Sequence, residues 1–249
     1  MFEERSAVRL LDADPDLAAR LDDRAIQEAR TRLVARVDRV EPGSWDPQRA
    51  LPDPDGHLGV LILDGLMTRD VQIASTTCAE LVGRGDLLRP WDDLRMHAPL
   101  QAAVDWHVLA PTELALIDRR LVHALGAWPE IMSVLVLRSV ARAQALAVSL
   151  AISCMQGLKL RLVVLLWHLA DRWGRVGTQG VSIPLPLTHR MVGRLVGASR
   201  PSVSTALKEL ERDGVISPRE RGGWVLHGEP PADLKGLNDR RIAEASASV

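Results

Sequence analysis

Residues 187–214 read Leu-Thr-His-Arg-Met-Val-Gly-Arg-Leu-Val-Gly-Ala-Ser-Arg-Pro-Ser-Val-Ser-Thr-Ala-Leu-Lys-Glu-Leu-Glu-Arg-Asp-Gly. The pattern predicts two short helices across a tight turn. Thr188 can cap the first, its hydroxyl accepting a free N–H of the opening turn, and Met191, Val192, Leu195 and Val196 recur at helical spacing. Gly197 stands where a left-handed residue ends a helix without a Cβ penalty. Ser199 is the next cap, and Pro201 falls in the first turn, where a missing N–H costs nothing. Val203, Ala206, Leu207 and Leu210 form the inner stripe of the second helix. Beyond it, Val215-Ile216 and Trp224-Val225-Leu226 flank a turn that carries Arg219 and Arg221, a two-stranded wing.

The outer face of the second helix holds Arg200, Ser202, Ser204, Thr205 and Lys208. In a helix-turn-helix the N-terminal part of the second helix enters the DNA major groove. Small hydroxyls let the helix sit deep, and Arg can bond guanine O6 and N7 together. Thr188, Arg190, Ser199 and Pro201 at the helix starts, with Arg219 and Arg221 on the wing, complete the candidate DNA-binding set. Spacing alone leaves an ordinary solvated helix pair open.

The run Leu-Thr, then Val-Gly-Arg-Leu-Val-Gly-Ala-Ser-Arg, then Val-Ser-Thr-Ala-Leu-Lys-Glu-Leu resembles the winged helix-turn-helix of the cyclic-AMP-receptor and fumarate-nitrate-regulator (CRP/FNR) transcription regulators. The resemblance implies that Arg200 holds the place of a DNA-contacting Arg. Pro201 and Thr205 depart from it, standing where the family often has Glu and Arg, so the operators of other members do not carry over.

Charge is divided along the chain. Residues 157–228 hold eleven Lys and Arg against five Asp and Glu, a balance of +6, and the whole chain of 249 residues totals −1, which leaves −7 elsewhere. A basic C-terminal module on an acidic remainder is what a protein needs if only one end meets phosphate. The opening Met-Phe-Glu-Glu-Arg is unlike a secretory signal, and no run reaches the roughly 18 residues of a membrane span without charges. Cys78 and Cys154 are read as reduced core residues of a cytoplasmic protein.

The N-terminal half reads as strands. A short strand and helix lead in, with Asp14-Pro15 as cap and first turn, and with Leu17, Leu21, Ile26 and Leu33 as an apolar stripe. An extended segment follows at Val34, Val37 and Val40. His57–Leu63 predicts a strand, Asp64-Gly65 a hairpin, and Leu66–Ala74 the return. Cys78–Val82, Val104–Val108 and Leu114–Ile117 predict further strands, with turns at Gly83–Asp86 and Pro111–Glu113. Such spacing suggests a barrel or jelly roll.

The segments 61–65, 79–88 and 114–118 also resemble the family's effector domain, so the likeness covers roughly Val34 to Gly228. The cyclic-nucleotide signature departs: Gly85-Asp86-Leu87-Leu88 runs into Arg89-Pro90, and Ala102-Ala103 stand where the family's Arg-Ser or Arg-Thr would be. Arg89 and Arg95 are the remaining candidates for an anion in an effector pocket.

Asp118–Ala127 predicts a short helix. Pro129 opens a long one running to about Gln156, roughly 40 Å. It is apolar nearly all round at Val134, Leu135, Leu137, Val140, Leu146, Val148, Leu150 and Ile152, so it needs cover on more than one side. A second copy of itself would supply it along Val134, Leu137, Val140, Ala141, Gln144, Val148 and Ala151, with Arg138 and Arg142 at the edge of that seam. Gly157 ends the helix. After Gly228 the tail is expected to be partly disordered.

No P-loop, dinucleotide fingerprint or nucleophile elbow occurs. The seven His residues (57, 97, 107, 123, 168, 189 and 227) have no zinc spacing, and two Cys cannot hold an ordinary iron–sulfur cluster. The expectation is therefore an α+β protein that is not an enzyme and has no metal or cofactor. Its parts are a jelly-roll effector-type domain (1–128), a dimerisation helix (129–156), a winged helix-turn-helix (157–228) and a tail (229–249). It is read as a homodimeric, sequence-specific regulator of transcription that binds double-stranded DNA and is not gated by cyclic AMP. RNA polymerase and a small-molecule effector are further candidate partners; a membrane is not. Two alternatives stay open: a haem sensor (His97, His107 or His123) or redox sensor on the same scaffold, and an effector-binding protein-interaction module.

Overall fold

Alternation along the strands decides which side of the N-terminal sheet each residue serves. The computed structural model describes residues 6–51, 56–92, 102–220 and 222–231, and the chain divides into two units at Ala147/Val148. The first unit opens with β1 (Ser6–Arg9), α1 (Leu10–Ala13), a 3₁₀ turn (Pro15–Ala18) and α2 (Asp23–Arg32). Then come β2 (Val34–Val40), β3 (Gly43–Trp45), α3 (Pro47–Ala50), β4 (Gly59–Ile73), β5 (Thr76–Gly83), β6 (Leu87–Leu88) and β7 (Ala102–Ile117). The strands pair antiparallel in the order β1-β2-β7-β4-β5, with β3 on β7 and β6 on β4. Val60, Ile62, Leu114 and Leu116 pack with Met67, Trp106 and Val108 in one core. Their neighbours Leu61, Leu63, Ala115 and Ile117 pack with Leu10, Leu17 and Leu33 in another. The sheet is thus buried on both faces, with the period of two that strands impose.

Two expected turns are absent. Asp64-Gly65 lies inside the continuous β4 and Pro111–Glu113 inside β7, and the strands stay paired from Gly59↔Ile117 to Ile73↔Ala102 with register shifts around Asp64 and Leu66. Asp-Gly and Pro signal a departure from regular strand; here both strands absorb it as facing bulges instead of reversing. Gly65 has φ +105°, and a Cβ on it would lie 2.3 Å from Thr112 Oγ1 and 2.6 Å from the Pro111 carbonyl oxygen. The reversal occurs past Ile73, where Ala74 takes φ +53°.

Asp14 is not the expected cap. Its side chain makes no capping bond; it is buried and accepts from Arg138 Nη1 and, at 3.0 Å, from Nη2. The capped helix is α2, where Asp22 accepts the Ala25 N–H at 2.8 Å. Cys78 and Cys154 are exposed thiols, not core residues.

After β7, Asp118 caps α4 (Arg119–Leu125), and α5 (Pro129–Cys154) follows. Arg138 and Arg142, expected at the edge of an apolar seam, both hold carboxylates of their own chain. Arg138 pairs with Asp14, and Arg142 donates through Nε at 2.6 Å and Nη2 at 2.9 Å to the Glu80 carboxylate on β5. A guanidinium seeks a carboxylate it can meet with two parallel bonds, and only the fold reveals which is in reach. By length and composition α5 is long and apolar enough to cross a membrane, its two Arg notwithstanding, and 11% of its most apolar stretch is buried.

The second unit contains α6 (Leu158–Trp173), β8 (Arg175–Gly177), β9 (Gly180–Ile183), α7 (His189–Val196), α8 (Arg200–Arg212), β10 (Ile216–Pro218) and β11 (Trp224–Leu226). Gly157, at φ +84°, separates α5 from α6. The wing is a four-stranded sheet in the order β10-β11-β9-β8; β8 has too little pattern in three residues to be read from sequence. The tail expected to be disordered lies, from residue 232 on, outside the described residues.

Candidate nucleic-acid interface

Three small residues set the turn between α7 and α8. Gly197 adopts the left-handed conformation (φ +64°, ψ +44°). The Ala198 N–H donates to the Gly193 carbonyl at 2.8 Å, and a Cβ on Gly193 would lie 2.5 Å from the Ala198 oxygen. The caps fall where the residue types put them. Thr188 Oγ1 accepts the Met191 N–H at 3.3 Å, and Ser199 Oγ accepts the Ser202 N–H at 3.4 Å. Val192, Val196, Val203 and Leu207 are fully buried, and Ala206 and Leu210 nearly so. From α6, Arg161 Nη1 donates to the Val196 carbonyl at 2.9 Å, serving a carbonyl that the end of α7 leaves without a helical partner. At the far end of α8, Lys159 Nζ bonds Asp213 at 2.9 Å and pairs with Glu209 at 3.4 Å. That bond raises the pKa of Lys159 and lowers that of Asp213.

This packing leaves Thr188, Arg190, Ser199, Arg200, Pro201, Ser202, Thr205 and Lys208 exposed on one unit. Ser204 differs: it is half-buried, and its Oγ lies 2.8 Å from Nδ1 of His189. That link between the starts of the two helices was not legible in the sequence, because His189 and Ser204 are fifteen positions apart. Thr205 Oγ1 donates to the Pro201 carbonyl at 3.2 Å and keeps acceptor capacity outward.

On the wing, the Arg219 N–H donates to Gly223 O at 3.1 Å and its Nη1 to Gly222 O at 3.2 Å. Its guanidinium folds over its own turn while the side chain stays partly exposed. Arg221 lies outside the described residues. His227 bridges the Gln179 carbonyl through Nδ1 and Ser217 Oγ through Nε2, each at 2.9 Å. A carbonyl only accepts, so Nδ1 carries the proton there.

Of the two candidate effector residues, Arg89 is among the described residues. Arg89 donates to Asp92 at 2.5 Å and to the carbonyls of His57 and Leu58 at 2.6 and 3.0 Å, and lies 5.5 Å from the Trp91 ring centre. Arg95 lies outside the described residues. Ala102 and Ala103 pair with Ile73 and Gln72 at the start of β7. No group of three or more His, Cys, Asp or Glu is disposed to hold a metal among the described residues. Along α5, Val134 is half-buried, while Leu137 and Val140 (both 48%), Ala141, Gln144, Val148 (45%) and Ala151 are exposed; so are Val136 (57%) and Leu150 (67%).

Comparison with known proteins follows these lines. The Crp-like helix-turn-helix domain family matches residues 160–229. The regulatory protein CysR of Synechococcus elongatus is 33% identical over 91 residues, which span 34% of this chain and 44% of that protein, less than half of its length. Among solved structures, a double mutant of CooA from Carboxydothermus hydrogenoformans superposes with a TM-score of 0.60 at 15% identity, covering 88% of this chain and 91% of that one. FixK2 of Bradyrhizobium japonicum gives 0.58 at 16%, covering 79% and 94%. A CRP/FNR-family transcriptional regulator from Thermus thermophilus gives 0.53 at 17%, covering 82% and 96%. At these identities the structures speak for the fold.

Proposed function

We propose that the chain is a CRP/FNR-family protein and a homodimeric, cytoplasmic transcription regulator that reads a near-palindromic DNA site, a reading supported by its match to the Crp-like helix-turn-helix domain and by its fold. The observation that carries this reading is the outer row of α8. Arg200, Ser202, Thr205 and Lys208 are exposed at its N-terminal end, and Val203, Ala206, Leu207 and Leu210 bury the opposite stripe. Arg200 is the base-reading residue, and Lys208, Arg190 and Arg219 serve phosphates. The exposed stripe of α5, spaced by three and four residues through Leu137, Val140, Gln144, Val148 and Ala151 with Ala141 beside it, suits a parallel helical seam with a second copy. Two recognition helices so paired enter major grooves about 34 Å apart. A salt titration against selected and random duplexes tests the reading. Selective binding that weakens as salt rises is expected; equal, weak binding to every duplex would overturn it.

The same reading excludes cyclic AMP as the switch. A cyclic phosphate stays charged at neutral pH and cannot be buried without donors. Arg89 is committed to Asp92 and two carbonyls, Pro90 has no N–H, and Ala102-Ala103 bring no charge. Calorimetry with millimolar cyclic AMP should show no binding heat; micromolar affinity would mean that the site has been rebuilt from other donors. Any ligand that does switch the protein must bind its two arrangements with different affinity.

A further inference from the structure

The second unit carries an apolar groove that the DNA-binding reading does not use. It encloses about 620 Å³ and is lined by Leu160, Val163 and Trp167 of α6, Leu210 and Val215 around the end of α8, and Pro231. Leu160 is 39% exposed and Trp167 half-buried, so their outer surfaces have no cover among the described residues. The groove lies at the C-terminal end of α8, roughly 18 Å along the helix from Arg200.

We infer that this groove is the seat of the chain's own C-terminal segment, residues 232–249, with Leu234 and Leu237 as its apolar anchors. Three observations converge on that occupant. The first is continuity: Gly228, Glu229 and Pro231 already form one wall, so residue 232 starts at the rim. Leu234 comes three residues after Pro231, within about 10 Å of extended chain. A segment tethered so closely competes at an effective concentration in the millimolar range, which an untethered partner must exceed.

The second is pattern. The segment reads Ala-Asp-Leu-Lys-Gly-Leu-Asn-Asp-Arg-Arg-Ile from 232 to 242. It offers Leu234 and Leu237 three apart among polar residues, with Ile242 at its end, as a short amphipathic anchor needs. The third is charge. The rim carries Lys159 with its partners Glu209 and Asp213, Arg212 beside Asp213, and Glu229, three acids to two bases. The segment brings Arg240 and Arg241 just beyond Leu237. Burying Leu234 and Leu237 there covers Leu160 and Trp167 and leaves the outer face of α8 free for DNA.

Cross-linking in the full chain tests this, in a Cys78→Ser, Cys154→Ser background that removes the two exposed thiols. Leu160→Cys and Leu237→Cys together, treated with a short bismaleimide, should join within one chain, giving a looped species of single-chain mass. In the otherwise natural chain, Leu234→Glu with Leu237→Glu should raise deuterium uptake across 229–245 and shift tryptophan emission to the red, while DNA affinity changes less than about twofold. A cross-link only between chains would overturn the proposal in favour of a second copy. Wild-type uptake across 232–245 at the rate of a free peptide would overturn it outright. Neither readout depends on a DNA site, so failure here and failure of the regulatory reading are separable.

Discussion

Arg200 stands exposed at the first position of α8, behind the cap Ser199. There it can reach base edges, whereas Arg219 folds over its own turn on the wing. Arg200→Ala should cost about 1–3 kcal/mol and relax preference at one base pair per half-site, while Arg219→Ala weakens all sequences alike and lowers the salt slope by about one. Competition binding against a randomised duplex library checks this; unchanged selectivity in Arg200→Ala would remove it from the recognition surface. His168 on α6 offers a second test. Burial lowers its pKa from the ordinary 6.5, and Asp171 opposes the shift only in part. As pH falls through about 6.5 the unfolded chain takes up the proton while the folded unit resists it. Stability is therefore full above that value and lost toward the lower folded one. The urea midpoint should drop between about pH 7.5 and 5.5, and His168→Gln should flatten that drop; an identical pH slope in the variant would clear His168 of the effect.

Among the elements, the β4–β7 pair is the least expected and the most constrained. Both strands run through residues that ordinarily turn a chain, and they meet where Gly65 approaches Thr112 more closely than any Cβ allows. Gly65→Ala should destabilise the first unit by at least about 2 kcal/mol, since it adds both a strained φ and a backbone clash. A thermal melt within a degree of wild type would mean that the bulge relaxes freely. The helices α7 and α8 were fully legible, because caps, Pro and Gly act within one turn of where they stand. The Asp-Gly of β4 was not, because the same dipeptide suits a hairpin or a bulge and only the partner strand decides.

For the whole molecule, the exposed stripe of α5 is the feature that a lone chain leaves unsatisfied. Val140 is 48% exposed in the single chain, so Val140→Asp should leave each chain folded while placing a charge in the proposed seam. Light scattering should report monomers, and affinity for a two-half-site duplex should fall at least about 100-fold, as paired engagement is lost. A dimer that survives Val140→Asp with full affinity would place the seam elsewhere.

What the amino-acid order determined by itself was local. It set the limits and caps of α7 and α8, the stop at Gly157 and the turn at Gly83–Asp86. Each follows from forces that act over a few residues: φ preferences, free N–H groups at helix starts, and the side-chain period. What only the tertiary structure decided was which distant groups meet. Asp14 left its expected cap for Arg138, Glu80 took Arg142, His189 found Ser204, and Arg89 turned to the carbonyls of His57 and Leu58. Cys78 and Cys154 came to the surface for the same reason. Burial and ion pairing depend on which surfaces the fold brings together across tens of residues, and no spacing along one chain encodes that directly.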